Sequence, residues 1–339
     1  MVYYKWMDEL RAIATLAVVL LHVSSYFISN NSLGSDEWWS GNIYESITRF
    51  SVPIFFMLSG ALAINGAKEQ PKIFLAKKTK RILLPLIVWS IFFSVINVFK
   101  NIYLGKEIIP TELLLSLLVG DAYYHLWFLY TLFILCLLSP LLQTLYKKSP
   151  SKCFHLSVCA ILAFSIIEIF LAVEGTEIQQ AHPFILPFFF LPYYIIGSGL
   201  ARIKLKHIVM NILPIIILFL ALLIMLIARF FSLSLAYSYL SLPVALFASS
   251  VFLFYSNKKK SCSNQIFKIL SPYYFGVYLL HPFFIEITYF LGGLGFPLGK
   301  NAFSPMIYIP VISIFVFLFS VFGTFLLSKS RRFKVAVGL

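Results

Sequence analysis

Two residues near the start of the chain pose the chemical question. Arg11 and His22 stand 11 residues apart in DELRAIATLAVVLLH, Asp8 to His22. At 3.6 residues per turn this is close to three helical turns, so both side chains share one face. A rise of ~1.5 Å per residue separates them by roughly 16 Å along the axis. The surrounding residues are apolar enough for a membrane helix, which puts a permanent cation at its mouth and an imidazole halfway across. Ionisable groups inside a bilayer are costly and mark functional sites by default. A neutral imidazole can accept a proton, as a general base must. The plainer readings are a membrane-surface anchor for Arg11 and an interhelical hydrogen bond for His22.

Other residues invite similar questions. Lys78 and Arg81 are at i and i+3, so on one helical face, before ILLP. They could clamp an anion, Arg by a planar fork and Lys as a point charge. Arg49 opens RFSVPIFFMLSG with Glu45 one turn before it. It could pair locally with Glu45, or meet Glu168, Glu286 or an anionic acceptor. His125 and Trp127 lie in YYHLWFLY, where an aromatic belt also explains the rings. His281 and Glu286 lie in SPYYFGVYLLHPFFIE, where Pro282 frees a backbone carbonyl close to His281. These five residues are candidate acceptor-binding groups, with a structural polar knot as the alternative for the last pair. Cys136, Cys153, Cys159 and Cys262 show no metal-ligand spacing, and no metal site is expected.

The elements that must carry these residues are membrane helices. Of 339 residues, 60% are hydrophobic and 12% charged, with a mean hydropathy of +0.90. Such a composition excludes an ordinary soluble domain. Apolar runs predict an all-α, polytopic protein with ten spans. Their approximate limits are 10–28, 43–64, 82–104, 124–146, 155–173, 184–201, 208–228, 236–255, 272–290 and 305–327. One integral domain, 1–339, is expected, with a short basic tail at 328–339. The net charge of +14 does not imply nucleic acid, because the basic residues alternate between loops. Lys100, Lys106, Arg229 and Lys300 fall on one side and Arg49 within a span, while the other 22 of the 27 fall on the opposite side. Both termini are therefore expected in the cytoplasm. The segment Pro110 to Gly120 is too short to cross and reads as interfacial, and Trp38 and Trp39 read as headgroup-level residues.

Five pieces in order resemble the acyltransferase-3 family of integral membrane acyltransferases. They are R-x10-H (Arg11, His22), FFMLSG, the basic pair before ILLP, HLWFLY and GVYLLHP. The resemblance covers nearly the whole chain. One departure is Lys78, where the family commonly has the first Arg of R-x-x-R. The resemblance implies an O-acyltransferase in the bacterial cytoplasmic (inner) membrane. An acyl group, acetyl above all, would pass from cytosolic acetyl-CoA to a hydroxyl of a cell-envelope, lipid-linked glycan. Arg11, Lys78 and Arg81 would bind the CoA phosphates, and His22 with Arg11 would be catalytic. Membrane lipids are the expected surroundings. The competing expectations are an exporter of a polysaccharide or its precursor, and a non-catalytic assembly partner.

Overall fold

The computed structural model describes residues 5–66, 70–107, 109–120, 122–173, 185–204, 207–230, 237–258, 265–293 and 303–339. Cys262 and Lys300 lie outside them. The described residues form helices joined by turns, without strands. Helix α1 (Lys5–Asn30) is followed by α2 (Asp36–Thr48), α3 (Ser51–Asn65), α4 (Pro71–Lys78) and α5 (Leu84–Tyr103). Next come the short α6 (Pro110–Val119), α7 (Trp127–Lys148), α8 (Pro150–Val173), α9 (Leu186–Leu200) and α10 (His207–Phe230). Helices α11 (Leu242–Asn257), α12 (Gln265–Leu270), α13 (Tyr274–Gly293) and α14 (Pro305–Lys329) complete the order.

Among the described residues, seven helical stretches are long and apolar enough to cross a membrane: Lys5–Asn30, Asp36–Asn65, Pro71–Tyr103, Trp127–Lys148, Pro150–Phe170, Gln265–Leu291 and Pro305–Lys329. Three further apolar helices are shorter, Leu186–Leu200, Pro214–Ala228 and Leu242–Asn257. They coincide with the expected sixth, seventh and eighth spans. At ~1.5 Å per residue, the 15 residues of α9 are shorter than a ~30 Å hydrocarbon core. Helix α9 packs against α3, α7, α8 and α11, and most of its residues are buried by protein.

Helix α1 is the hub. It touches α2, α3, α11, α12, α13 and α14, and its buried positions run round most of its circumference. Leu10, Ala14, Ala17 and Val18 join the main apolar core. Val19, Val23 and Phe27 join a second cluster with Val277 and Ile285 of α13 and Tyr308, Ile309, Ile312 and Val316 of α14. The small side chains of Ala12, Ala14 and Ala17 let its neighbours approach closely.

Prolines decide where the helices break. Pro53 offers no N–H to the Arg49 carbonyl and its ring crowds that carbonyl. The helix interrupts there, with α2 ending at Thr48 and α3 starting at Ser51, so the expected single span is two helices meeting at Arg49. Pro85 does the same to the Arg81 carbonyl. The outcome is one wide turn over Thr79–Leu83 between α4 and α5, where Leu84 N–H donates to the Thr79 carbonyl. Such wide turns recur at functional sites.

Helices α3 and α9 make the tightest approach. A methyl group at Gly60 would fall 1.7 Å from the Tyr194 carbonyl oxygen, and one at Gly197 would fall 2.1 Å from that of Met57. Each glycine thus admits the other helix's backbone. Trp38 is buried and packs edge-on to Trp39, which stacks on Phe230 at 5.4 Å. Gly60→Ala is expected to cost about 1–3 kcal/mol through overpacking. A lowered thermal unfolding midpoint in detergent checks this; an unchanged midpoint would mean that α3 and α9 are not in register.

Candidate functional site

The cationic end of the site is built by three elements. Arg11 comes from the first turns of α1, Lys78 from the end of α4, and Arg81 from the wide turn after it. All three line one cavity of about 390 Å³, together with Ser271, Tyr274 and Tyr278. Arg11 is held in place by Asp8, whose Oδ1 accepts from its Nη1 at 2.8 Å and from Ser271 Oγ at 2.8 Å. The pair is i, i+3 on α1, and Asp8 is buried. Lys78 lies over the Phe74 ring at 5.4 Å. The Tyr274 hydroxyl is buried, with no hydrogen-bond partner among the described residues. A polar ligand group in the cavity would relieve that cost.

The chain beyond α14 closes part of this cavity. Trp89 Nε1 donates to the Ala336 carbonyl at 2.8 Å, and Val337 is fully buried. Gly338 turns with φ +72°, against the Phe275 ring and the Arg81 carbonyl that Pro85 leaves free. Leu339 then lines the cavity. The expected basic tail is thus partly a wall of the site.

Deeper in, three histidines converge from separate segments. His22 is on α1, His281 on α13 and His125 in the turn before α7. The His22 and His281 ring centres lie 5.0 Å apart, with His281 Nε2 at 3.1 Å from His22 Nδ1. The His125 ring is 5.6 Å from that of His281. His22 Nδ1 is also 2.9 Å from the Val18 carbonyl one turn back. His281 Nδ1 sits 2.7 Å from the Tyr278 carbonyl, which Pro282 cannot use, and 3.2 Å from that of Val277. Both ring nitrogens of His125 are buried without a partner among the described residues. Its backbone carbonyl accepts from the Tyr278 hydroxyl. His22 is half-buried, and beside it the Tyr124 ring, 5.1 Å away, is 46% exposed.

The remaining sequence candidates lie around this cluster. Arg49 pairs with Glu45 at 3.0 Å, donates to the Tyr237 carbonyl at 2.6 Å and lies 4.6 Å from the Tyr239 ring centre. Trp127 packs on Phe190 at 5.3 Å and reaches the same Tyr239 at 6.2 Å. Glu286 accepts from Lys100 Nζ at 3.0 and 3.2 Å and from the Tyr123 hydroxyl at 2.9 Å. Tyr123 in turn stacks on Phe93 and sits edge-on to His125. Arg11, Lys78 and Arg81 therefore share one cavity, and His22, His125 and His281 form one cluster. Arg49 with Trp127, and Glu286 with Lys100, form two flanking groups.

Sequence reasoning did not single out Tyr278, Tyr124, Tyr123 or Lys100. Tyr278 had a signal: it precedes His281 by three residues, which places both on one helical face. Tyr124 and Tyr123 read as generic interfacial aromatics. Among the described residues, no group of three or more His, Cys, Asp or Glu side chains could hold a metal ion.

Comparison with known proteins bears directly on this arrangement. The family model for acyltransferase-3, described as an acyltransferase domain, matches residues 4–328. No curated protein and no solved structure matches the chain. The match spans every candidate residue above and nearly the whole sequence, and the chain belongs to the acyltransferase-3 family as a multi-pass membrane acyltransferase.

Proposed function

We propose that the protein transfers an acyl group, acetyl from cytosolic acetyl-CoA, to a hydroxyl of a lipid-linked cell-envelope glycan. The observation that carries this reading is that one residue, Tyr278, belongs to the lining of the cavity and touches the histidine cluster. A cavity edged by Arg11, Lys78 and Arg81 runs to Tyr278, and the Tyr278 carbonyl faces the His281 ring that touches His22. Phosphates suit the cationic end, where Arg81 can offer a bidentate fork and Lys78 a point charge. The pantetheine arm can cover the roughly 16 Å of helix rise between Arg11 and His22. The apolar cavity wall, Phe128 and Leu132 among it, suits that arm.

His22 acts as general base in this scheme. The acceptor oxygen forms a bond to the thioester carbonyl carbon as its proton passes to His22 Nε2. The C–S bond then breaks, and the CoA thiolate recovers the proton from the imidazolium. The exposed Tyr124 ring beside His22 supports an acceptor that approaches from the side away from the cationic mouth. Ten spans with both termini cytoplasmic would put the cationic mouth on the cytosolic side, where acetyl-CoA is available. This arrangement, in the bacterial inner membrane, is part of the same proposal. The blocks YKWMDELRAIA and RFSVPIFFMLSG look most like the enterobacterial common antigen O-acetyltransferase, which makes a related glycan the acceptor to try first.

Three measurements test the reading. His22→Ala at equal expression should lower transfer of labelled acetyl from acetyl-CoA to envelope glycan by at least ~10²-fold. Undiminished transfer removes His22 as base. Arg81→Ala should raise the apparent KM for acetyl-CoA more than that for the acceptor, and Lys78→Arg should preserve donor affinity. Equal effects of Arg81→Ala on both substrates would sink the clamp. Arg49→Lys cannot keep the Glu45, Tyr237 and Tyr239 contacts together, so it should cost about 1–3 kcal/mol of stability, read as a lowered thermal midpoint. An intact midpoint with weakened acceptor binding would instead make Arg49 a substrate contact.

A further inference from the structure

The hydrogen bonds around the two facing histidines fix where their protons sit. His281 Nδ1 meets the carbonyl oxygens of Tyr278 and Val277 at 2.7 and 3.2 Å. Carbonyls only accept, so Nδ1 carries the hydrogen and Nε2 holds the lone pair of the neutral ring. That Nε2 points at His22 Nδ1, 3.1 Å away. His22 Nδ1 also meets the Val18 carbonyl at 2.9 Å. Facing two acceptors, it too carries its hydrogen and shares it between them. The lone pair of His22 is left on Nε2, which has no hydrogen-bond partner among the described residues.

We propose that His281 is the positioning residue of His22, an acceptor that locks the reactive tautomer and takes up the positive charge created when His22 receives a proton. The inference rests on His22 being the base. It gives His281 a part in proton handling rather than in acceptor binding. As the hydroxyl proton reaches His22 Nε2, the Nδ1 proton moves to His281 Nε2. His281 then holds two N–H groups, one toward Tyr278 and Val277 and one toward His22. When the thiolate leaves, it draws the proton from His22 Nε2 while the Nδ1 proton returns from His281, and both rings end neutral.

In hydrolase triads a carboxylate fixes the tautomer and stabilises the imidazolium without itself taking the proton. Here the partner ring is fully buried in an apolar bundle, where an unpaired carboxylate would be costly at rest. A neutral imidazole carries no such cost and still accepts. Pro282 is the local cause of its aim. By lacking an N–H it leaves the Tyr278 carbonyl open to the His281 ring, which turns Nε2 toward α1.

The test uses the full-length protein in lipid nanodiscs. His281→Leu should lower kcat by about 10²-fold, with KM for acetyl-CoA and acceptor changed less than about twofold. His281→Gln, whose amide oxygen can stand near the lost Nε2, should recover part of that kcat. A wild-type kcat in His281→Leu overturns the proposal, as does a raised acceptor KM with kcat intact. If His22→Ala is inactive while His281→Leu is fully active, the inference fails and the acyltransfer reading stands. If His22→Ala is itself active, His22 is not the base and the inference falls with that role. A measurement on the wild-type protein avoids dependence on variants that fail to fold. With ¹⁵N-labelled histidine, a scalar coupling across the hydrogen bond should link His22 Nδ1 to His281 Nε2, with His22 Nε2 unprotonated. Assigned spectra without that coupling overturn the proposal.

Discussion

A cation and an imidazole on one buried helix persist in a bilayer only if neighbouring helices satisfy them, and that constraint organises the molecule. Unpaired polar groups in an apolar interior cost several kcal/mol. Helix α1 carries Asp8, Arg11 and His22, and each finds its partner locally or across a helix boundary. The Arg11–Asp8 pair is completed by Ser271 from the turn before α13. The His22 ring is completed by His281 from α13 itself. The same two segments therefore meet at both levels of the site. Helix α13 is tied to α1 by polar contacts at two depths, with Val19, Val23, Val277 and Ile285 packed between them.

Prolines convert this frame into a site. Each removes an N–H four residues after a carbonyl, and each carbonyl or break so produced lies at a residue of interest. Pro53 ends the α2 helix at Arg49, which turns to Glu45 and Tyr237. Pro85 opens the wide turn that carries Arg81. Pro282 frees the Tyr278 carbonyl for the His281 ring. Broken or widened helices inside a membrane are tolerated where protein or a cavity re-satisfies the backbone. All three sites meet that condition.

Much of this was legible from residue order. The R-x10-H spacing needs only helix geometry, and α1 is one unbroken helix of 26 residues that holds both side chains. The basic i, i+3 pair before ILLP announced a cationic mouth. The His-Pro step announced a freed carbonyl. What sequence did not supply was adjacency between distant segments. His22 and His281 are 259 positions apart. Nothing in periodicity pairs α1 with α13 rather than with another helix, since apolar faces in lipid are interchangeable. The start of α11, Leu242 against an expected 236, was similarly hidden, because hydropathy marks apolar runs and not where a run becomes helical. Residue order likewise did not show that Trp38 is buried, edge-on to Trp39.

Tyr278 shows why the two halves of the site cannot be varied independently. Its ring lines the cationic cavity, its hydroxyl donates to the His125 carbonyl, and its own carbonyl faces His281 Nδ1. One residue thus touches the donor cavity, the turn that carries Tyr124 and the histidine pair. Under the proposed reaction, the thioester passes this ring to reach His22, where the hydroxyl arrives from the other side. A barrier there has chemical value. Water reaching the thioester from the open side of Tyr124 would compete with the acceptor, and closing a site against water also strengthens every electrostatic contact within it. Tyr278 is buried and bound at both its hydroxyl and its carbonyl, so it holds the cavity's inner wall fixed. The half-buried face of His22 then remains the place where the two substrates can meet.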